Sequence, residues 1–431
     1  MCFILVDPDG FVVKANVSTS LPLSRAIFMA ASQRDLLLGT VLVTGGCGFL
    51  GSHIVEALLR EPQCARVVVV SRNPKDFRFP GAFYLAADIT DRAAVRAVLD
   101  KVKPRVIIHT VSPSYLAKAT VQLKVNYEGT KLLLACATDH PAVKAFVYTS
   151  STLAVVSTER VETEQTAVLC SLTSGPNAYA RTKGATETYV CLANGTALKT
   201  TAIRVPGLYG PRDKTMMLPL LNTLKEGRTN IQLGDNSKYF EHVYVQSAAR
   251  AHVLAARALL DGMHNTLHSK VDGEAFFISD GAPMKFWDFA RAVWAAAGDT
   301  TRPEDIKVIP MWLILSLASI GEWCYWVFTC GQKSPTLRRQ NLEVIGTELR
   351  FSIQKARTRL GYEPICDTKE GIRRTVAWFK EHEGWNRVER VQEQGGLFSR
   401  LLQASRPLIV PWRVFFGSSF ESSMFEGKNF C

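Results

Sequence analysis

A chain of 431 residues, 47% hydrophobic and 21% charged, is long enough to bury a large core and to hold two substructures plus tails. Its net charge of +12 is scattered, with no dense basic block or nucleic-acid module; this excludes nucleic acid as a partner and leaves an anionic membrane surface or an anionic cofactor. Ten cysteines show neither metal-ligand pairing nor the density of a disulfide framework, so reduced thiols facing the cytosol and no metal site are expected.

Residues 1–38 carry Asp7, Pro8, Asp9 and Gly10 where a secretory signal needs its apolar run, so no signal peptide is visible. Met29 stands shortly before the first apolar strand, and the first 28 residues are read as a dispensable extension or a start-site error. Val41–Val43 then read as a strand, Gly45, Gly48 and Gly51 follow at three-residue spacing, and Leu50, Ile54, Val55, Leu58 and Leu59 form a helical apolar stripe. A strand, a glycine turn and a helix are what a dinucleotide diphosphate requires. The turn lets the backbone approach without Cβ atoms, and the helix start offers free N–H groups at its positive end. Gly45, Gly48, Phe49, Leu50 and Gly51 are therefore candidate cofactor contacts.

The second apolar run, Arg66–Val70, ends at Ser71 and Arg72, where a ribose-reading residue belongs. NAD usually meets an acid at this place, whereas Ser-Arg suits a 2′-phosphate. The cofactor expected is NAD or NADP with a slight lean to NADP, since Asp76 could also reach the ribose. Phe83–Asp88 reads as a third strand with Asp88 and Ile89 at its end beside the adenine. A helix over Asp91–Val102 follows, then a fourth strand, Arg105–His109, running into Val111. A long helix at about Thr120–Thr138 carries Asn126, and a fifth strand, Ala145–Tyr148, opens into Ser151. The repeating βα pattern predicts an α/β fold with a doubly wound parallel Rossmann sheet.

Tyr179 and Lys183 lie four residues apart on a predicted helix and so share one face. A free phenol titrates near ~10, with roughly one in a thousand ionised at neutrality, and a neighbouring ammonium can lower that value. Ser151 on the preceding strand end could bond a substrate oxygen while Tyr179 takes a hydroxyl proton.

At this point the chain resembles the extended short-chain dehydrogenases, and more narrowly the 3β-hydroxysteroid dehydrogenase and sterol-4α-carboxylate 3-dehydrogenase (decarboxylating) family. The resemblance is carried by VLVTGGCGFLGSHIVEALL, RVIIHTVSP, KVNYEGTKLLLACA, FVYTSS, AYARTKGATE, TAIRVPGLYGPRD, IQLGDNSKYFEHVYV and GEAFFISDGAPMKFWDFARAVW, from about Gly39 to Glu383. It implies Tyr179 as proton acceptor, Lys183 as the ribose-binding group that lowers the phenol pKa, and Ser151 as the residue orienting the substrate oxygen. Asn126 is either the asparagine that holds an active-site water or a structural kink residue. Pro206 and Gly207 resemble the segment along the nicotinamide. The chain departs from the family at Ser71-Arg72, which replaces the usual acid, and at Val205-Pro206, where the proline is shifted by one place.

These readings divide the chain into an N-terminal extension (1–38) and an NAD(P)-binding Rossmann domain (39–206, with a returning segment about 239–260). A smaller interleaved substrate part (207–383) and a tail (384–431) complete it. His242 and His252 read as packing or surface residues rather than metal ligands. Phe286, Trp287, Phe289, Val293 and Trp294 form an aromatic stripe that suits either core packing or partial lining of a sterol pocket.

The stretch Met311–Cys330 is about 20 residues, long enough in principle to span a bilayer, but Glu322 opposes insertion. Its Trp residues and Tyr325 favour a monotopic contact over a buried core helix. The expected activity is oxidation of the 3β-hydroxyl of a sterol or polycyclic terpenoid, with loss of CO2 if a 4α-carboxylate is present, on the cytosolic face of the endoplasmic reticulum membrane. A homodimer or a sterol-demethylation assembly is the partner the resemblance implies. The alternatives are an NADPH-dependent carbonyl reductase, a 3β-hydroxysteroid dehydrogenase/isomerase, and a cofactor-sensing protein without chemistry.

Overall fold

The computed structural model describes residues 2–6, 12–16, 38–261, 270–329, 339, 342 and 345–382. Valine- and isoleucine-rich runs, buried on both faces, form the middle of the central parallel sheet. Its strands are β1 (Gly39–Thr44), β2 (Cys64–Ser71), β3 (Ala82–Ala86), β4 (Val106–His109), β5 (Ala145–Ser151), β6 (Lys199–Val205) and β7 (Glu274–Phe277). The spatial order is β7-β6-β5-β4-β1-β2-β3, every pair parallel, with the order reversing between β1 and β4. Ligands of such sheets bind beyond the strand ends at that reversal.

Alternation along β1 serves two cores. Val41 and Val43 pack with Ile54 and Val55 of α1 (Phe49–Leu59) on one face, and Leu42 packs with Leu99 and Leu133 on the other. Asp91 starts α2 (Arg92–Val102) by accepting from the N–H groups of Ala93 and Ala94, and Lys103, at φ +47, ends it in the left-handed conformation. The long predicted helix is broken in character: Ala119–Gln122 is α-helical, Leu123–Gly129 is π-helical, and α3 (Thr130–Asp139) resumes the regular winding. Asn177 caps α4 (Ala178–Leu192) through Ala180 N–H. The predicted return to the cofactor domain is present as a strand, His242–Tyr244, entering α5 (Val245–Leu260), which packs on α1 and the sheet.

Strand β7 corrects the sequence reading, which left Glu274–Phe277 within the substrate part. Phe276 is buried in one core of the sheet and Phe277 in the substrate-side core, so the aromatic pair bridges the two. The aromatic stripe on the helix Phe286–Ala297 is mainly core. Trp287 and Trp294 donate their indole N–H groups to the carbonyls of Leu233 and Leu220, while Phe286 also borders the main cavity.

The helix Met311–Thr329 divides its two sides sharply. Ile314 and Ala318 join the substrate-side core, whereas Trp312, Leu313, Ile320, Trp323 and Trp326 are exposed. Among the described residues no helix is long and apolar enough to cross a membrane. Residues 1–37 form a unit of their own, in which Cys2–Val6 pairs antiparallel with Val12–Asn16, a hairpin absent from the sequence reading. The tail from residue 384 and Cys330 lie outside the described residues.

Candidate active site

The glycine turn leaves β1 at Gly45, whose φ of +79 is the left-handed region open to glycine. A Cβ on Gly51 would overlap the Gly45 carbonyl oxygen, so glycine there lets α1 press against the turn. Helix geometry leaves the N–H groups of Phe49, Leu50 and Gly51 without acceptors inside α1, and Gly48, its cap residue, brings no side chain to fill the space. These residues fit a dinucleotide diphosphate. Val111, predicted to adjoin the cofactor, has its backbone N only 3.1 Å from where a Gly45 Cβ would lie.

Ser71 ends β2, and Arg72 stands exposed just beyond it. Partial burial works to raise the Asp88 carboxyl, but Thr90 donates two hydrogen bonds to it (2.8 and 2.9 Å) and the Arg72 charge adds to them, holding it below its ordinary value. An exposed guanidinium and an ionised carboxylate thus stand together beyond the end of β2. Ile89 is buried beside them.

At the other end a cavity of about 320 Å³ is bordered by Ser151, Tyr179, Phe49, Pro206 and Gly207, and on the substrate side by Met216, Phe240, His242, Phe286 and Leu349. The structure therefore brings Tyr179, Ser151 and Pro206 of the sequence-predicted set into one chamber. Burial raises the Tyr179 phenol, and a hydrogen bond with Ser151 draws it back down. Lys183 is buried one helical turn away. Its ammonium donates to the Thr149 carbonyl at 2.9 Å and stands 4.9 Å over the Tyr148 ring. Burial lowers its pKa to about 7 against the opposing charge of Glu187. At Tyr179 burial outweighs the Ser151 bond, and the phenol stays above its ordinary value.

Asn126 lies in the π-helical segment and does not border the cavity. Its Nδ2 donates to Gln122 Oε1 at 2.7 Å and to Thr182 Oγ1 at 3.3 Å, tying this helix to α4, while its buried Oδ1 has no partner.

Sequence reasoning missed three contributors. Tyr115, on the loop after β4, packs edge-on against Tyr179 with ring centres 5.3 Å apart, and Asn177 Nδ2 donates to its hydroxyl at 3.0 Å. Glu187 takes a 2.5 Å hydrogen bond from Ser150 and a bidentate pair from Arg204, all buried behind Lys183. Its position four residues after Lys183 was the available signal, since it shares that face of α4. His109 is held between Thr44 and Thr130, at 2.6 and 2.9 Å, beneath the glycine turn. His242 and His252 are buried, His252 bonded to Thr149 and Ala248, and no cluster of three metal-ligand side chains occurs among the described residues.

Comparison with known proteins agrees with this geometry. A sterol-4-alpha-carboxylate 3-dehydrogenase, decarboxylating, of Gibberella zeae is 40% identical over 66% of this chain and 94% of its own length. The namesake of Schizosaccharomyces pombe is 36% identical over 79% and 97%. Among solved structures, the UDP-glucose 4-epimerase of Thermus thermophilus in complex with NAD superposes with a TM-score of 0.59 at 21% identity, over 80% of this chain and 99% of that one, which shows the shared fold. Residues 42–308 match the profile of the 3-beta hydroxysteroid dehydrogenase/isomerase family, and the chain belongs to that family.

Proposed function

We propose that this protein oxidises the 3β-hydroxyl of a 4α-carboxysterol, or of a similar polycyclic terpenoid acid, and thereby triggers loss of CO2. The observation that carries the reading is the cavity itself: Tyr179 and Ser151, the two hydroxyls suited to a secondary alcohol, line it together with the apolar side chains of Met216, Phe240, Phe286 and Leu349. Those apolar side chains suit a ring system. Relatives at 36–40% identity are named for this reaction.

Ser151 holds the C3 oxygen, and Tyr179 receives its proton. The bound nicotinamide supplies the hydride acceptor. Lys183 and the carbonyl of Thr149 fix the ribose side of the site. Oxidation turns the substrate into a β-keto acid. The C4–carboxylate bond then breaks with release of CO2, its electron pair enters the C3 carbonyl to give an enolate, and a proton from water adds at C4 and restores the ketone at C3.

The protein is an NAD(P)-dependent oxidoreductase of its family, and Arg72 favours NADP because a guanidinium recognises a phosphate bidentately. The exposed Trp312, Trp323 and Trp326 favour a monotopic seat on the endoplasmic reticulum surface, from which a sterol enters without crossing water. Incubating the protein with 4α-carboxysterols, their decarboxylated counterparts and each nicotinamide tests the reading by mass detection of ketone and CO2. Ketone with stoichiometric CO2 is expected; absence of turnover across the carboxysterols overturns it.

A further inference from the structure

His242 is a polar side chain in the apolar half of the cavity that the chemistry above does not use. It is 4% exposed, and its ring lies flat on Phe289 at 4.0 Å with the planes 6° apart, which fixes the direction of both nitrogens. Nδ1 is sealed from solvent without a partner, and the nitrogen on the cavity side is Nε2, 3.9 Å from where a Cβ on Gly207, another residue bordering the cavity, would lie. Along the segment from Tyr239, Phe240 and His242 alternate with Glu241. Glu241 borders the cavity too, but its carboxyl interacts with Ser279, the Phe351 backbone, Asp280 and Arg350, none of which borders it, and its Oε2 has no hydrogen-bond partner.

Four of the cavity's hydroxyls are already engaged. Ser151 and Tyr179 pair with each other, Tyr115 accepts from Asn177, and Thr215 donates to Asp213. Among the described residues bordering it there is no lysine or arginine. A carboxylate carried into such a place without a donor bears a large desolvation cost, and an uncommitted imidazole N–H reduces it.

We infer that His242 is the residue that recognises the substrate's carboxylate, its imidazole N–H donating to that group while Ser151 and Tyr179 hold the neighbouring C3 oxygen. The assignment deepens, and rests on, the carboxysterol reading. It makes His242 a determinant of selectivity for acids over neutral sterols, with burial keeping the free imidazole uncharged.

The test compares a 4α-carboxy-3β-hydroxysterol with the same sterol lacking the carboxylate, using full-length wild type, His242→Phe and His242→Gln. Phenylalanine keeps the stack on Phe289 and removes the donor; glutamine keeps a donor. A hydrogen bond to a charged group corresponds to roughly 10-fold to 100-fold in binding. His242→Phe should therefore raise KM for the acid by about that factor, with kcat and the kinetics of the neutral sterol little changed, and His242→Gln should restore much of the KM. Equal losses on both sterols, or an unchanged preference for the acid in His242→Phe, would overturn the assignment and leave the function standing. A wild type that oxidises only the neutral sterol would overturn both.

Discussion

Replacing Lys183 with methionine should make the cofactor-free protein more stable at low pH while depriving it of activity. In the folded chain the Lys183 pKa falls from 10.5 to about 7 because the ammonium is buried. A shift of about 3.5 units at 1.36 kcal/mol each is a penalty of about 5 kcal/mol for folding with the charge in place. Below pH about 7 both folded and unfolded states carry the proton and the penalty is fully present. As pH rises the folded state sheds the proton first, so at pH 9 about 2 kcal/mol remains, and near pH 10.5 nothing does.

Methionine removes the penalty but leaves the Thr149 carbonyl without its 2.9 Å donor, a pH-independent loss of about 1–3 kcal/mol. The variant should thus exceed wild type by about 2–4 kcal/mol at pH 6 and roughly match it at pH 9. Urea denaturation of both proteins at the two pH values measures this. A gap between variant and wild type that is the same at pH 6 and pH 9 would refute the claim that the ammonium is held at a cost in this site.

Glu187→Gln should cost about 3–5 kcal/mol in the same assay, because it strands the buried Arg204 guanidinium that Glu187 neutralises. A loss under about 1 kcal/mol would contradict that account. Arg72→Ala should weaken NADP binding by about 10-fold or more and leave NAD binding unchanged by calorimetric titration; equal loss for both removes the 2′-phosphate argument. Changing Trp312, Trp323 and Trp326 together to serine should release the protein from anionic lipid vesicles in co-sedimentation, since these side chains are 65–68% exposed and make little of the core. Undiminished sedimentation would transfer the lipid contact elsewhere.

What the sequence revealed and what it hid have a common physical origin. The glycine turn, the parallel strands and the Tyr179–Lys183 pair are local patterns, set by backbone freedom, by runs such as Arg66–Val70, and by a four-residue helical spacing. Residues whose role depends on distant partners were illegible. Tyr115 meets Tyr179 only because α4 begins beside the loop that follows β4, and Glu187 finds Arg204 only once β6 is in place beside β5. Strand β7 was hidden for the same reason, since GEAFF gains its meaning from pairing with a strand more than 70 residues earlier. The helix Met311–Thr329 was ambiguous because composition does not say which side packs inward, and Ile314 and Ala318 supply that answer.

The central claim is that the Tyr179 phenol takes the proton of a substrate alcohol beside a bound nicotinamide, and the most direct measurement of it is single-turnover oxidation of a 4α-carboxysterol by wild type and Tyr179→Phe at equal cofactor occupancy. Loss of one hydroxyl should slow the chemical step by about 10²-fold to 10⁴-fold with cofactor affinity unaltered. A Tyr179→Phe enzyme that oxidises the sterol at the wild-type rate would contradict it.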